Sequence, residues 1–407
     1  MAVTIHKQPL AYSPAYNPLV FYAKSNQTAQ PNFNYRVIVT DIITSEFQTY
    51  WIDADPDGFC RFDASPFAVT RFTHTLPINT YGWQKDLDTR KLKVNIGEYY
   101  GASPTYYAGT DLEYILWDGV EDVMDFPTYN FTSYLYDDST ANYKYLTSQL
   151  DGLAYTDRSD YFYALTKGAG DLKFLIVKTY NSSGVLQGAY KISNPHEAST
   201  LYIDKYLCID VGIKGLTNIP SGQVTVMSGV FPINWSNVAY YEVSETNSTA
   251  TEPATRSVKK YTVGCSPRFP IYTLHFLRKT GAFETCHFSK RSDFTSSKVG
   301  SSYSVFPYHA DGVSDYSYSR STQFEKVISI EETNRMRLNT DMLTPNQVDL
   351  YKELFTSPLI YLDLGSSRPY EQIKYVADSY KLNKRWNEKL YNLSADFEFT
   401  AKNYRQR

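Results

Sequence analysis

The chain has 407 residues, of which 20% are charged, and its formal net charge is −3 at pH 7. This length excludes a single small core, so we expect roughly two to four domains. The small net charge gives no reason to expect nucleic acid or a membrane surface as an obligatory partner. The 38 tyrosines and 22 phenylalanines, with turn-forming residues at short intervals, predict a mostly β protein.

The N-terminus and the cysteines indicate where the protein is made. The first residues, MAVTIHKQPLAYSP, lack the basic start and apolar run of a secretory signal, and no stretch reaches about eighteen apolar residues. We therefore expect synthesis in a cytoplasm and no membrane insertion. The cysteines are far apart and form no C-x-x-C pair; they are Cys60, Cys208, Cys265 and Cys286. Isolated buried thiols are expected at these positions.

The first third of the chain alternates between apolar and polar residues. The apolar positions are Phe33, Tyr35, Val37 and Val39 in NFNYRVIVTD, and Leu92, Val94 and Ile96 in RKLKVNIGEYY. Strict period-two alternation predicts strands with one buried and one wet face, as in an antiparallel sandwich. The segment TDLEYILWDG closes this region. We place the first domain at 1–125.

The middle of the chain, 126–260, shows the same alternation and forms the predicted second domain. LKFLIVKTYNSSGVLQGAYKI predicts two strands around a hairpin turn at residues 181–184. The segment SETNSTATEPATRS, residues 244–257, is polar, lacks periodicity and contains a proline. It predicts an exposed loop or linker. A third domain is placed at 261–407.

One helix is predicted, at residues 345–356. Thr344 is a suitable N-cap, Pro345 fits the first helical position and Gln347 completes a capping box. The apolar stripe that follows consists of Val348, Tyr351, Leu354 and Phe355. A proline at position 358 ends the helix.

Two strands are predicted after this helix, LIYLDL and KLYNLSADFEFTAKNYR. The apolar face of the second consists of Tyr391, Leu393, Ala395, Phe397 and Phe399. The predicted fold class is therefore mostly β, with several antiparallel β-sandwich-type domains and one short helix near the C-terminus.

Charge is unevenly placed along the chain. Residues 111–160 hold eleven acidic and two basic side chains, whereas residues 365–407 hold nine basic and five acidic ones. Both segments are typical of solvated faces. They also fit complementary edges in a head-to-tail assembly, in which the basic end of one subunit meets the acidic segment of its neighbour.

The hairpin IYTLHFLRKTGAFETCHF, residues 271–288, is a candidate metal or catalytic site. If Arg278 pairs with Ala282, Cys286 lies opposite Leu274 on the apolar face and His287 points the other way, because neighbours on a strand alternate. Cys286 and His287 then cannot hold one ion together. The remaining pair of histidines, His275 and His287, falls short of the three or four ligands that zinc requires. The hairpin is therefore predicted to be scaffold.

The segment DADPDG, residues 53–58, resembles the opening of a calcium loop. That loop needs a bidentate carboxylate at its twelfth position, where this chain has Ala64. A Pro-Asp-Gly turn that joins Trp51 to Phe59 explains the same residues without an ion. No calcium site is predicted here.

The adjacent carboxylates Asp137-Asp138 and Glu331-Glu332 are not placed like an acid–base pair, because neighbours on a strand point to opposite sides. No G-x-S-x-G, H-E-x-x-H, phosphate-binding loop or dinucleotide fingerprint is present in the sequence. We therefore predict no catalytic, metal or cofactor-binding residues. The tyrosines, spread evenly along the chain, favour packing and broad interfaces over one binding platform.

Three parts of the chain, namely PAYNP with the strands that follow it (residues 9–39), the turn LRKTGAFE in residues 272–290, and residues 339–364 with the final strand, resemble structural proteins of tailed bacteriophages that infect Bacteroidetes, including crAss-like phages. PLAYSPAYNPLVFYAKSNQTAQPNFNYRVIV, residues 9–39, is similar to their opening, in which a PxYNP entry precedes an apolar strand and NF-x-Y leads a second strand. YTLHFLRKTGAFETCHFSK is similar to a turn of the pattern L-N-R-x-G-x-(F/Y)-(D/E), with Arg278 and Gly281 matching and the usual asparagine missing from Leu277-Arg278-Lys279. NTDMLTPNQVDLYKELFTSPLIYLDL and the final strand resemble the family's C-terminal region.

The resemblance implies a non-enzymatic structural subunit of the virion. Such a subunit is expected to form a cyclic homo-oligomer, six- or twelve-fold, in the tail, baseplate or neck, and to contact other phage tail or neck proteins. It is expected in the tail region of a virion assembled in the host cytoplasm, without cofactors. One alternative is a carbohydrate-binding adhesin or tail-fibre-like host-recognition protein that uses the aromatic residues. Another is a glycan-degrading enzyme, which needs two carboxylates about 5–10 Å apart in a cleft.

Overall fold

The protein is mostly β, as predicted, with antiparallel and mixed sheets and three short helices. The computed structural model describes residues 3–85, 89–122, 134–136, 145–148, 150–166, 169–201, 206–246, 258–264, 268–304, 325–365, 370–376, 382–385, 390–401 and 403–405.

The strands and helices follow one another along the chain in this order. The first strands are β1 (Val3–Lys7), β2 (Tyr12–Pro14), β3 (Val20–Ser25), β4 (Asn34–Asp41), β5 (Phe47–Ile52), β6 (Phe59–Asp63), β7 (Trp83–Lys85), β8 (Thr89–Tyr100), β9 (Thr105–Tyr107) and β10 (Asp111–Trp117). The next are β11 (Leu135–Tyr136), β12 (Gly152–Ala154), β13 (Tyr161–Thr166), β14 (Phe174–Tyr180), β15 (Leu186–Ser193), β16 (Tyr206–Asp210), β17 (Val224–Ser228), β18 (Tyr240–Thr246) and β19 (Lys259–Val263). The last are β20 (Tyr272–Leu277), β21 (Phe283–Phe288), β22 (Asp293–Ser304), β23 (Glu325–Asn339), β24 (Ile360–Asp363), β25 (Glu371–Tyr375), β26 (Leu382–Arg385), β27 (Leu390–Phe399) and β28 (Asn403–Arg405).

The helices are short. They are α1 (Ser65–Val69), α2 (Ile213–Asn218) and α3 (Pro345–Thr356), with single 3-10 turns at Ser221–Gln223 and Trp235–Asn237. Within the part of the chain that the structure describes, no helix is long and apolar enough to cross a membrane. Only α3 was predicted, because α1 and α2, at five and six residues, are too short to show a helical period.

The chain divides into two compact units. Unit 1 comprises Met1–Ser266 and Phe276–Thr285, and unit 2 comprises Pro267–His275 and Cys286–Arg407. The tip of the hairpin β20–β21 is therefore part of unit 1, although the base of the hairpin is part of unit 2. The predicted division into domains 1–125, 126–260 and 261–407 stays a prediction.

The first core of unit 1 lies between two mostly antiparallel sheets. Their strand orders are β1-β3-β6 and β2-β10-β8-β4-β5, with β9 paired to β8. The predicted alternation of β4 is confirmed, because Tyr35, Val37 and Val39 are completely buried while the residues between them are partly exposed. The rest of this core includes Phe21, Phe62, Phe67, Leu92, Val94, Ile96 and Leu116.

A second core of unit 1 lies between two further sheets. Their orders are β11-β13-β16-β7 and β12-β19-β18-β14-β15-β17, and both contain one parallel pair at an edge. This core includes Phe162, Leu175, Val177, Leu207, Ile209, Val211, Tyr241 and Tyr261. Most of its members come from residues after 125, and Trp83 of β7 is the exception because β7 pairs with β16.

Two predictions in this region have different outcomes. The hairpin turn at 181–184 is confirmed, since the Gly184 amide donates to the Asn181 carbonyl at 3.0 Å and Gly184 has a φ of +77°. The prediction of an exposed loop over 244–257 is wrong for residues 244–246. They complete β18, pair with 174–176 and are buried. Residues 247–257 lie outside the described residues.

Unit 2 is built on a single sheet with the strand order β21-β20-β24-β25-β27-β23-β22, with β26 on β27 and β28 on β23. Leu393, Ala395 and Phe397 are buried along one face of β27, as predicted. Helix α3 covers this face: the ring of Tyr351 lies 5.5 Å from that of Phe288, which in turn lies 6.1 Å from that of Phe397.

The predicted start of α3 is confirmed. Thr344 Oγ1 accepts a hydrogen bond from the Gln347 amide at 3.4 Å, and Gln347 Oε1 accepts one from the Thr344 amide at 2.9 Å. This reciprocal capping box satisfies two backbone donors that the first helical turn leaves open. Of the predicted stripe, Val348, Tyr351 and Leu354 are buried. Phe355 is partly exposed, and its ring lies 4.6 Å from that of Tyr375.

The substitution Thr344→Ala is expected to destabilise α3 by about 1 kcal/mol, because the Gln347 amide loses its acceptor. Hydrogen exchange of the amides of residues 345–356, measured by mass spectrometry, should then be faster by about fivefold. Thr356→Ala, at the far end of the same helix, serves as the control and should change exchange by less than about twofold. Equal effects of the two substitutions would show that the cap does not stabilise the helix.

Candidate interaction surface

The hairpin of residues 271–288, which was the candidate metal or catalytic site, pairs in the predicted register. The Arg278 amide donates to the Ala282 carbonyl at 2.9 Å, and Gly281 closes the turn with a φ of +83°. Cys286 and Leu274 are both buried. His287 points to the other face, where its Nδ1 lies 3.0 Å from Thr273 Oγ1. The predicted separation of Cys286 from His287 is confirmed.

The face that carries the histidines is buried as well, which the alternation of the hairpin did not predict. His275 is completely buried, and its Nε2 lies 3.9 Å from Oδ2 of Asp363, which is itself buried. His275 is therefore enclosed beside another polar side chain, whereas His287 on the same face is partly exposed. Among the described residues, no group of three or more His, Cys, Asp or Glu side chains is arranged to hold a metal ion.

The segment 53–58 forms the turn between β5 and β6. Asp55 Oδ1 accepts hydrogen bonds from the amides of Asp57 and Phe59 at 3.0 and 2.6 Å, and the Gly58 amide donates to the Asp55 carbonyl at 2.8 Å. Gly58 has a φ of +80°, which favours glycine. The Asp55 carboxylate thus stabilises the predicted Pro-Asp-Gly turn.

The remaining candidates are dispersed. Asp137-Asp138 and Cys265 lie outside the described residues. Glu331 and Glu332 are neighbours on β23, and Glu332 accepts a hydrogen bond from the Ser296 hydroxyl at 2.7 Å. The three cysteines that the structure describes are buried, as predicted: Cys60, Cys208 and Cys286. Burial raises the pKa of the Cys60 thiol to about 12.

A buried charge cluster lies at the hairpin tip in unit 1, and sequence reasoning missed it. Glu284 is 2% exposed. Its Oε1 lies 3.6 Å from Lys259 Nζ, its Oε2 lies 3.6 Å from Arg278 Nη1, and Oε2 also accepts from the Ser148 amide at 2.5 Å. Burial raises the pKa of Glu284, and the two cations oppose that rise. The cluster ties the tip to two distant segments of unit 1.

A second group of carboxylates is buried at the end of β16 in unit 1. Asp210 Oδ1 accepts from the amides of Asp160 and Gly212 at 3.0 and 2.9 Å. Burial raises the pKa of Asp210 to about 7, and the neighbouring Asp160 adds to the rise. These hydrogen bonds stabilise the backbone at the end of β16, so the Asp210 carboxylate has a structural role.

One further cluster joins three titratable side chains of unit 1. Asp118, which is 1% exposed, forms an ion pair with Nδ1 of His74, and Nε2 of His74 lies 3.2 Å from the Tyr16 hydroxyl. Burial raises the pKa of the Asp118 carboxyl, while His74 lowers it. The cluster fixes the segment after α1 against the end of β10.

An exposed feature of the described part of unit 2 is a two-stranded ribbon, residues 293–304 and 325–337. Its strands pair antiparallel from Asp293 opposite Arg337 to Ser304 opposite Glu325. At about 3.3 Å per residue, the twelve residues of β22 span about 40 Å. Strand β27 pairs with β23 only at residues 335–339, and β28 pairs only at 330–332. Within the described chain, residues 325–329 are therefore paired with β22 alone.

The ribbon exposes apolar side chains on both faces. Every residue of β22 is exposed. The exposed apolar side chains, with their exposed fractions, are Phe294 (55%), Val299 (69%), Tyr303 (51%), Val327 (50%) and Ile328 (52%). Val299 and Tyr303 share one face of β22, whereas Val327 lies opposite Ser302 on the other face. Another protein that packs against the ribbon would cover these side chains.

The ribbon also lies at an edge of its sheet. Among the strands that the structure describes, β22 is the last in the order of this sheet. Its outward backbone N–H and C=O groups can therefore accept another strand. A bulge between Ser301 and Ser302, opposite Ile328, interrupts the regular register near the outer end. Bulges twist an edge and limit uncontrolled pairing.

The base of the ribbon is fixed by ion pairs. Arg337 Nε and Nη2 donate to the two carboxylate oxygens of Asp396 at 2.7 and 2.9 Å. Arg335 and Lys374 both lie 2.9 Å from the carboxylate of Glu398. Arg335 and the Arg337–Asp396 pair line an open groove of about 340 Å³. Because the charges in it are already paired, we regard the groove as support for the ribbon.

Sequence reasoning missed the ribbon. The segment DFTSSKVGSSYS is rich in serine, so its apolar residues are too sparse for a clear alternation. In the stretch EKVISI, three apolar residues precede Glu331 and Glu332. Only the two glutamates were interpreted, as a candidate acid–base pair. The serine-rich stretch of residues 293–304 contains no proline, which is compatible with a strand but does not by itself identify one.

Comparison with known proteins assigns no family to the chain. No protein-family model matches the chain, and no curated protein matches it.

Proposed function

We propose that the protein is a non-enzymatic structural subunit of a phage virion. It forms a cyclic ring in the tail, baseplate or neck, and it connects neighbouring tail components. Six- and twelve-fold rings are the two forms that we propose. The partners are other copies of the chain and other tail or neck proteins, and assembly takes place in the host cytoplasm. The observation that carries this proposal is the exposed ribbon of unit 2.

The energetics of the ribbon support an assembly role. An isolated two-stranded hairpin is at best marginally stable in water, and among the described residues every side chain of β22 is exposed. Full burial of one aliphatic or aromatic side chain contributes about 1.5–3 kcal/mol. Val299, Tyr303 and Val327 are each at least half exposed. Contact with a neighbouring subunit would bury them and would stabilise the ribbon in the same step.

The placement of charge along the chain supports a ring over a two-fold dimer. An open edge on one part of a subunit that pairs with a different part of its neighbour is a head-to-tail contact, and such contacts close into rings when the rotation permits. The acidic segment 111–160 and the basic segment 365–407 provide complementary charge for such a contact.

The double substitution Val299→Lys and Val327→Lys tests this role. We expect the wild-type chain to form a cyclic oligomer in solution. The variant should be largely monomeric at the same concentration, because two lysines placed on opposite faces of the ribbon cannot be buried unpaired. Light scattering coupled to size-exclusion chromatography, with negative-stain electron microscopy of the peak, measures both outcomes.

Ile78→Lys is the matched control, because Ile78 is a similarly exposed aliphatic residue of unit 1, 40% exposed, and lies outside the ribbon. It should leave the oligomer intact. A wild-type chain that stays monomeric, or a ribbon variant that assembles as well as the control, contradicts the proposal. Absence of the chain from a mass-spectrometric inventory of purified virions would contradict the virion assignment separately.

A further inference from the structure

The sheet β2-β10-β8-β4-β5 has an outer face, opposite its buried core, that carries a group of aromatic side chains. Trp51 on β5 lies opposite Arg36 on β4 and is 54% exposed. The ring of Tyr99 on β8 meets the ring of Trp51 edge-on, with 4.8 Å between centroids. On the opposite face of β4, Tyr35 and Val37 are completely buried, so the arrangement of the core fixes which side chains face outward.

Arg36 is held between two of these rings. Its guanidinium carbon lies 4.4 Å from the centroid of the Tyr106 ring and 5.5 Å from that of Trp51, within cation–π range. Tyr106 is itself fixed, because its hydroxyl donates to Asn95 Oδ1 at 2.8 Å. Its ring also lies across Gly97, where a Cβ atom would be only 2.5 Å from Tyr106 Cε2. The guanidinium is thus positioned before any ligand arrives.

Arg36 differs from the other cations on this face. Lys91 forms an ion pair with Glu113 at 2.5 Å, and Lys93 forms one with Asp111 at 3.3 Å. The side chain of Arg36 makes no hydrogen bond or ion pair with any residue that the structure describes, and its Nε is buried without a hydrogen-bond partner. A fixed guanidinium without a carboxylate suits a bidentate contact with an anionic group from outside the chain.

We propose that this outer face binds an acidic oligosaccharide. A sugar ring stacks on the exposed part of Trp51, and its carboxylate or sulfate pairs with the guanidinium of Arg36. Aromatic rings present an apolar surface to the C–H face of a sugar, while polar neighbours hydrogen-bond to its hydroxyls. Asn34 and Thr49, both partly exposed on the same face, supply such polar groups.

A saccharide fits this face better than a protein partner does. Beside Trp51 the face carries the charged Arg36 and the polar Asn34 and Thr49, so polar groups interrupt its aromatic side chains, whereas a stable protein interface of standard size is apolar at its centre. The charge pattern also indicates an anion, because Arg36, unlike Lys91 and Lys93, has no acidic partner among the residues that the structure describes. This role is independent of assembly through the ribbon, so either proposal can fail alone.

The test uses the full purified chain and defined oligosaccharides. The acidic probes are a galacturonic acid hexasaccharide, sialyllactose and a heparin hexasaccharide. The neutral control is the fully methyl-esterified form of the galacturonic acid hexasaccharide, which keeps the rings and removes the charge. Isothermal titration calorimetry is expected to show binding of at least one acidic probe and at least tenfold weaker binding of the neutral control.

Two substitutions separate stacking from charge recognition. Trp51→Ala and Arg36→Gln are each expected to weaken binding of the acidic probe at least tenfold. Arg61→Gln is the matched control, because Arg61 is an exposed arginine of the same unit that also lies near a ring, 5.8 Å from that of Tyr22. It should leave affinity within about twofold. Thermal unfolding of each variant shows whether the fold is retained.

The proposal is overturned if no acidic probe binds more tightly than about 5 mM. It is also overturned if acidic and neutral forms bind equally, or if Arg61→Gln weakens binding as much as Arg36→Gln does. If Trp51→Ala instead disrupts the oligomer while no sugar binds, the face is a protein interface. Loss of acidic-probe binding in both Trp51→Ala and Arg36→Gln, with the oligomer intact, supports the proposal.

Discussion

Replacement of Glu284 by alanine is expected to lower the free energy of unfolding of unit 1 by about 3–5 kcal/mol. The substitution leaves Lys259 and Arg278 without their shared carboxylate, and both side chains are largely buried, at 8% and 13% exposed. It also removes the acceptor of the Ser148 amide. An unpaired charge in a buried site costs more than the ion pair contributes, because water cannot replace the lost partner.

Urea unfolding followed by tryptophan fluorescence measures this effect, since four of the five tryptophans belong to unit 1. If Glu284→Ala does not fold, Glu284→Gln keeps an acceptor for the Ser148 amide while removing the charge. Glu284→Gln should still lose about 2 kcal/mol or more. Glu113→Gln, which breaks an exposed ion pair in the same unit, is the control and should lose at most about 1 kcal/mol. Equal losses in the buried and exposed variants would contradict the expectation.

Asp210 should make unit 1 less stable as the pH rises from about 4 to about 7. The pKa of this carboxyl is raised from 3.8 to about 7 by burial. Between these values the folded state binds more protons than the unfolded state, so the free energy of unfolding falls as pH increases. Below about pH 4 both states are protonated and the loss is absent, and above about pH 7 it is complete. Its size is at most about 4 kcal/mol, at 1.36 kcal/mol per pKa unit.

The substitution Asp210→Asn isolates this contribution. The amide side chain of the variant can still accept from the backbone amides of Asp160 and Gly212, but it carries no charge at any pH. The difference in unfolding free energy between variant and wild type should therefore grow in favour of the variant from pH 4 to pH 7. Asp57→Asn, in the exposed turn before β6, is the control and should show no such growth. A difference that is constant with pH would mean that Asp210 is ionised throughout this range.

The elements that the sequence predicted well are those whose information is local. Period-two alternation identified β4, because Tyr35 and Val39 face a core while their neighbours face water. The capping box of Thr344 and Gln347 marked the start of α3, and its apolar spacing marked the buried side. The turn at Asn181 follows from the sequence alone, since its side chain accepts from the amides two and four residues later.

Elements that depend on distant partners could not be predicted. Residues 244–246 are polar, yet they are buried because they extend β18 against β14, a pairing with residues 174–176. Nothing in the sequence around His275 indicated a carboxylate beside it, but Asp363, almost ninety residues later, lies 3.9 Å from it. The same applies to Glu284, whose three contacts come from Ser148, Lys259 and Arg278. A single sequence gives no measure of such long-range pairing.

The two candidate surfaces were predictable only in part. The aromatic composition indicated interfaces or stacking, but which tyrosines face outward depends on sheet register. Arg36 and Trp51 are fifteen positions apart in the sequence and become opposite neighbours only through the pairing of β4 with β5. The ribbon escaped prediction because its strands are exposed on both faces, so no alternation between core and water marks them.

The position of the hairpin tip has a consequence for the order of events during synthesis. Unit 1 includes residues 276–285, which follow a segment of unit 2 in the chain. The Tyr206 hydroxyl donates to the Gly281 carbonyl at 2.8 Å, and the Val120 amide donates to the Lys279 carbonyl at 2.7 Å. Until the ribosome has synthesised residues 276–285, the carbonyl acceptors of the Tyr206 hydroxyl and the Val120 amide do not exist. The same is true of the Glu284 carboxylate that pairs with Lys259. The nascent N-terminal portion therefore reaches its finished form only after translation has passed into the sequence of its neighbour.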